Sequence, residues 1–314
     1  MKAIVATAYG PPDVLQFREL EKPVPKSNEI LIKIHATTVT QGDRRFRTPN
    51  PIVIRLLNGL IRPRLVKIFG LELAGEVEEV GEEVKRFIKG DHVFAFTGFH
   101  FGAHAEYKCM KEDGPAEKNG LIAIKPTNMT FEQAASVPCG GLTALGLLKK
   151  ANIQQGQKVL IYGASGSVGT YAVQFAKHFR AEVTGVCSTN NLEMVKALGA
   201  DKVIDYTQDD FTQNGEKYDI IIDAVRKKAP SDCKRALTEG GVFFSSHSST
   251  KPALEDLLFI KTLIEDGAIR AFIDRCYSFK EIIEAHRYVD LGRKKGNVVI
   301  SMNQKEPSVH HTTI

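Results

Sequence analysis

The sequence predicts an α/β protein in two parts, a small β-barrel followed by a doubly wound parallel sheet. Three observations carry this. The first 125 residues hold short alternating runs broken by glycine turns. From about residue 130 strands and helices take turns, and a glycine-punctuated turn, Gly163-Ala-Ser-Gly-Ser-Val-Gly169, stands between a strand and a helix. Short strands between turns read as a barrel, and βα alternation reads as a parallel sheet with crossover helices.

In the barrel part, Glu29–Thr40 places Ile30, Ile32, Ile34 and Ala36 on one face and Lys33, His35 and Thr37 on the other, the period of a half-buried strand. Gly75–Val84 reads as two short β runs around a turn at Gly81, and Lys89–Phe96 as a turn and a strand. Phe131–Ser136 and Gly141–Ala151 read as helices, with Thr130 and Gln133 spaced for a capping box. The parallel sheet draws on strands at Val159–Tyr162, Glu182–Cys187, Lys202–Asp205, Ile220–Ala224 and Gly241–Ser245. Its helices are 168–180, Asn191–Leu198, Ala229–Ala236 and Leu254–Asp266. Strand, helix and strand then recur at Ile273–Tyr277, Phe279–Leu291 and Asn297–Ser301, expected to rejoin the barrel. The expected division is a barrel domain over 1–125, a parallel-sheet domain over 126–270, a return segment over 271–303 and a polar tail over 304–314.

The chain has 314 residues, 43% hydrophobic and 25% charged, enough for two cores of an ordinary globular protein. A scattered net charge of +5 does not argue for nucleic acid. Five widely spaced cysteines, at 109, 139, 187, 233 and 276, fit reduced thiols, so a cytoplasmic location is expected. Met1-Lys-Ala-Ile-Val-Ala opens directly as a strand, without a leader pattern. The apolar stretch 52–69 carries Arg55, Arg62, Pro63, Arg64 and Lys67, whereas a spanning helix needs about 20 mostly uncharged residues. It is expected to be a substrate-side lid or a packed helix, with peripheral membrane contact left open.

The glycine turn has a chemical reason. The chain must turn sharply, its backbone must approach a pyrophosphate, and the helix must pack close to the strand. The helix N-terminus then offers N–H groups and the positive end of a dipole. Gly163, Ser165, Gly166, Ser167, Val168 and Gly169 are therefore the candidate diphosphate contacts.

Lys89-Gly-Asp-His-Val93, Ala105-Glu-Tyr107, Gly141-Leu-Thr-Ala144, the Gly163–Gly169 turn and Leu198-Gly-Ala-Asp201 follow the Gly75–Gly81 hairpin in order. In this the chain resembles the medium-chain dehydrogenase/reductase superfamily, in its zinc-free quinone oxidoreductase and enone reductase branch, from Met1 to about Met302. The resemblance implies a GroES-like β-barrel domain plus a Rossmann domain, with substrate in the cleft between them. It also implies hydride transfer to a small hydrophobic quinone or α,β-unsaturated carbonyl. On its substrate side fall Thr40 and Gln41 as donors to the carbonyl oxygen, with Asp43 nearby; Thr143 falls beside the nicotinamide.

The second strand of the parallel sheet ends in Ser188, Thr189 and Asn190, without the carboxylate that bonds the ribose hydroxyls of NAD. Those side chains, with Lys196 on the next helix, suit a 2′-phosphate, so NADP(H) is the expected cofactor. Two bonds to a charged group, about 1.5–3 kcal/mol each, would favour NADPH by roughly a hundredfold or more.

Zinc is not expected. Where the superfamily's zinc-dependent branch has its three catalytic ligands, this chain holds Thr40, Leu71 and Cys139, and Cys109, the only cysteine before residue 139, cannot form the four-cysteine lobe of a structural zinc. Two departures from the resemblance stand out. Only about a dozen residues separate Gly241 from the helix at Leu254, which leaves the usual homodimer in doubt, and Arg226 stands where relatives tend to have glycine. Two alternatives stay open: an NADP-dependent aldehyde or ketone dehydrogenase, and a catalytically idle NADPH-binding sensor or structural protein.

Overall fold

A computed structural model describes residues 1–49, 53–64 and 66–303. The chain forms two compact units. One is Met1–Pro138, Ala253–Lys261 and the chain from Ile273; the other is Cys139–Pro252 and Thr262–Phe272.

The first unit opens with β1 (Lys2–Ala6) antiparallel to β2 (Leu15–Glu19). Next come β3 (Glu29–Thr38), α1 (Gln41–Arg47), α2 (Val53–Asn58), β4 (Glu72–Val80), β5 (His92–Phe96) and β6 (Tyr107–Lys111). The short α3 (Ala116–Asn119), β7 (Leu121–Ile124) and α4 (Phe131–Ala135) complete this stretch. β3 pairs antiparallel with both β4 and β6, and β5 links β4 to β7. Ile30, Ile32 and Ile34 meet Leu73, Val77, Val93 and Ile122 in one apolar core, as the alternation of β3 predicts.

Three local readings change. Thr37, assigned to the polar face, is fully buried, because its hydroxyl donates to the Glu72 carbonyl at 2.7 Å. Gly75–Val84 is not two runs: β4 is one strand, and it stops where Gly81 donates to Glu29 O at 2.9 Å. A Cβ at Gly81 would lie 2.1 Å from Lys26 O, so only glycine fits there. In the 52–69 stretch, the helix α2 ends at Asn58 and a loop follows; Ile52 and Leu65 lie outside the described residues.

The second unit begins in α5 (Pro138–Lys150) and continues through β8 (Lys158–Tyr162), α6 (Ser167–His178), β9 (Glu182–Cys187), α7 (Leu192–Ala197) and β10 (Lys202–Asp205). β11 (Tyr218–Asp223), α8 (Pro230–Arg235) and β12 (Leu237–Ser245) follow, and α9 (Leu254–Glu265) begins in the first unit and ends in the second. Among the described residues its sheet is wholly parallel, in the order β10-β9-β8-β11-β12. The chain winds outward from β8 in both directions, so a crevice opens past the carboxyl end of β8, where such sheets bind ligands. α6 buries Ala172, Val173, Phe175 and Ala176 completely, four of the six apolar residues that the helical period of the sequence aligns; Val168 and Phe179 are half-buried, and Tyr171 is buried as well.

β13 (Ile273–Ser278), α10 (Ile282–Asp290) and β14 (Asn297–Ser301) belong to the first unit, where β14 pairs antiparallel with β3.

Candidate functional site

The β8–α6 turn is a cradle built of backbone. Gly163 adopts φ +83°, a conformation that favours glycine. Gly163 and Ala164 both donate to Val186 O, at 2.9 and 3.0 Å, which ties the end of β8 to the end of β9. Gly169 lets α6 approach the strand: a Cβ there would sit 2.1 Å from Gly163 O and 2.7 Å from Ala164 Cα. Gly166 is different. A Cβ on it would meet nothing closer than 3.5 Å, and it caps α6 without a side-chain hydrogen bond. The first turn of α6, with Ser167 and Val168, thus faces a space left by the missing side chain. Backbone N–H groups and a helix dipole beside such a space suit an anion, and a dinucleotide diphosphate fits these residues.

The end of β9 borders this cradle. Asn191 is 9% exposed, and its Nδ2 donates to Ser165 Oγ at 3.2 Å and to Ser188 Oγ at 3.1 Å. Because both serine oxygens accept, each serine keeps its own proton to donate. Asn191 Oδ1 is buried without a partner among the described residues, a further sign of a polar group awaiting a ligand. Thr189 behaves differently, since its hydroxyl donates to Asp205 Oδ2 at 2.5 Å. Asp205, the last residue of β10, stands opposite Cys187 in register and also accepts from the N–H and hydroxyl of Thr207, at 2.9 and 2.7 Å. The Thr189 hydroxyl is the main cause holding the Asp205 carboxyl below the usual carboxylate range. Asn190 and Lys196 are exposed. Asn191 and Asp205 are the residues the sequence reading missed. The adjacent Asn190-Asn191 pair was a usable signal for the first, whereas Asp205 acts through strand register.

Deeper in this unit, Thr143 lies on α5 and donates to Cys139 O at 2.7 Å. Past β11, Asp223 Oδ1 accepts from the N–H groups of Val225 and Arg226, at 3.0 and 2.6 Å. Burial pushes the Asp223 carboxyl up. Arg226 has φ +58°, which explains why glycine suits this position. Its Nη1 lies 2.6 Å from His247 Nδ1.

In the first unit, Thr40, Gln41 and Asp43 come together at the start of α1. Thr40 is the N-cap in a reciprocal capping box with Asp43. Asp43 is fully buried; its Oδ2 accepts from Thr40 N at 2.7 Å and Thr40 Oγ at 2.6 Å, and its Oδ1 accepts from Gly70 N at 2.7 Å. The single hydroxyl proton of Thr40 therefore points at Asp43. Gln41 Nε2 makes a long contact of 3.5 Å to Val289 O and keeps a second N–H. Beneath them lie His104 and His286, both fully buried, with ring centroids 5.3 Å apart. His104 Nε2 is 2.9 Å from Thr38 O, and neither nitrogen of His286 has a partner among the described residues. Burial lowers the pKa of both rings. Next to them the buried Arg47 grips Asp290 of α10 with two contacts of 2.6 Å.

The chain matches the family described as "Zinc-binding dehydrogenase" over residues 167–264, with a second model of that description over 243–300. It matches "Alcohol dehydrogenase GroES-like domain" over 26–120. The residues do not fit zinc. No group of three or more His, Cys, Asp or Glu able to hold a metal occurs among the described residues. At two of the three ligand positions the hydroxyl of Thr40 is turned to Asp43 and Leu71 is apolar, which leaves Cys139 alone among them.

The 2-methylene-furan-3-one reductase of Solanum lycopersicum is 32% identical, across 96% of this chain and 79% of that protein. The NADPH-dependent alkenal/one oxidoreductase of Arabidopsis thaliana is 30% identical over the same shares. The solved quinone oxidoreductase of Coxiella burnetii superimposes with a TM-score of 0.83 at 29% identity, covering 96% of this chain and 99% of that one. The GroES-like part, the parallel-sheet unit and these relatives agree: the chain is an oxidoreductase of the medium-chain dehydrogenase/reductase superfamily, in its quinone oxidoreductase and enone reductase branch.

Proposed function

We propose that the protein reduces quinones or α,β-unsaturated carbonyls with NADPH and without zinc. The observation that carries this reading is the open space at Gly166, bordered by Ser165 and Ser188 with their protons available. The names of the tomato, Arabidopsis and Coxiella proteins support the substrate class. When bound, the cofactor supplies hydride at C4 of its nicotinamide.

The residues of the chain bind and orient. The turn Gly163–Gly169 and the dipole of α6 hold the diphosphate. Ser188 and Asn190 donate to the adenosine 2′-phosphate, Lys196 adds charge, and Thr189 shapes the ribose end as an acceptor. Thr143 contacts the nicotinamide. In the first unit, Thr40 and Asp43 fix the start of α1, so that the carboxamide of Gln41 donates to the carbonyl oxygen of the substrate as negative charge develops there.

The test is a side-by-side panel of a benzoquinone, a cyclic enone, an alkenal and a saturated aldehyde, each with NADPH and with NADH. The expected result is turnover of conjugated acceptors with NADPH preferred. Turnover confined to the saturated aldehyde would overturn the reading, as would tight NADPH binding with no turnover of any acceptor.

A further inference from the structure

We propose that the loop Asn58–Arg64 docks this protein on anionic lipid surfaces, with Leu60 and Ile61 entering the headgroup layer. The inference is independent of the reaction proposed above.

The charge pattern comes first. From Arg44 to Leu71 the sequence contains no Asp or Glu and seven basic residues. Two of them, Arg44 and Arg47, face Asp290. Arg55 stacks over the Tyr9 ring at 5.2 Å. Among the described residues Arg62, Arg64 and Lys67 make no ion pair, and all three are exposed. A run of unneutralised cations gives a local positive field within a chain of nearly balanced charge.

The loop is built to present its tip. Asn58 closes the base: its Oδ1 accepts from Val66 N at 2.7 Å, and its backbone carbonyl accepts from Arg64 N at 2.7 Å. Tyr9 donates its hydroxyl to Gly59 O at 2.8 Å. Gly59 turns with φ +111°, where a Cβ would lie 2.4 Å from Arg62 O. The base is thus fixed, and its own residues Asn58, Pro63 and Val66 are buried. The tip is the reverse: Leu60 is 58% exposed and Ile61 86%, and Leu56 on the adjoining α2 is 66% exposed. Large aliphatic side chains held outward on a pinned loop lose free energy in water and gain it in lipid. The basic collar behind them matches anionic headgroups. The combination, apolar tip plus adjacent Arg and Lys, is what interfacial binding requires. A soluble acidic partner would use the collar but not the tip.

The chain contains no tryptophan, so Ile61→Trp introduces a single reporter. The experiment mixes the full-length variant with vesicles of phosphatidylcholine alone and with vesicles carrying about 30% phosphatidylserine. The expected result is a blue shift of tryptophan emission with the anionic vesicles only, reversed by raising salt to about 0.5 M. In co-sedimentation, Leu60→Ser with Ile61→Ser should weaken partitioning at least about tenfold, and Arg62→Ser with Arg64→Ser about as much. Thermal melting of both pairs should match the parent, because these side chains are exposed. Unshifted emission on anionic vesicles would overturn the proposal. So would loss of binding in the arginine pair with full retention in the Leu60–Ile61 pair, which would mark an acidic protein surface as the partner.

Discussion

Gly166 and Gly169 stand three residues apart and make opposite demands. Alanine at 169 would drive a methyl into the backbone of Gly163 and Ala164, which cannot move aside without breaking the packing of α6 on the sheet. Alanine at 166 makes only an ordinary contact, 3.5 Å to Gly163 O. Gly166→Ala should therefore keep its fold, losing about 1 kcal/mol or less, while NADPH affinity falls at least tenfold because the methyl occupies the diphosphate space. Gly169→Ala should lower thermal stability by roughly 3 kcal/mol or more. Melting curves together with cofactor titration separate the two effects. Asp205 supports a second residue-scale prediction. Its carboxylate accepts from the Thr189 hydroxyl and in the proposed cofactor site would face the ribose end, so Asp205→Asn should raise the kcat/KM ratio of NADPH over NADH about fivefold. In Thr189→Val that change should shrink. Ser165 is nominated by the sequence because it sits inside the glycine turn, and Ser188 because it follows the second strand of the parallel sheet. Asp205 was not, since its contact with Thr189 depends on the register of β10 against β9.

At the scale of elements, α1 and α10 are held together by a charge pair that no local pattern announces. Arg47 and Asp290 are 243 residues apart in sequence, and the Arg47 side chain has no exposure at all. Asp290→Ala would leave a buried guanidinium with Gly10 O as its one hydrogen-bond acceptor among the described residues. The expected loss is about 3 kcal/mol in denaturant unfolding, with Arg47→Met in the same background recovering part of it. Caps show the other side of legibility. The spacing of Thr130 and Gln133 correctly announced a capping box, and that of Thr40 and Asp43 forms the same device. The latter pair drew attention as chemistry because it matched the substrate-side position of the branch. Its hydrogen bonds give it a structural task first, which is why the proposed reaction assigns the donor role to Gln41. β4 teaches a similar lesson: Gly81 looked like the turn of a hairpin, yet it ends one long strand against the backbone of Lys26.

For the molecule as a whole, the two-part architecture was readable because its signals are periodic. Period-two alternation marked β3, helical spacing marked α6, and strand–helix succession implied the parallel order. Burial of histidines was not readable, because His104 and His286 meet only after the return segment rejoins the barrel. This pair makes stability depend on pH. Burial lowers both folded-state pKa values, with Asp43 partly opposing the shift at His104 and Arg47 adding to it at His286. The unfolded chain, with histidines near 6.5, then binds protons that the folded chain does not. Stability is complete above that pH and falls below it, by about 2 kcal/mol between pH 7 and 5.5. Replacing His286 with leucine should roughly halve the slope of unfolding free energy against pH.

The central claim is metal-free delivery of hydride to a conjugated carbon. It is tested most directly with NADPH deuterated at both C4 positions, a cyclic enone and protein treated with a strong chelator. The account predicts a saturated ketone carrying deuterium at the former β-carbon, formed at the same rate before and after chelation. Deuterium at the carbonyl carbon of an alcohol, or turnover abolished by the chelator and restored by zinc, would contradict it.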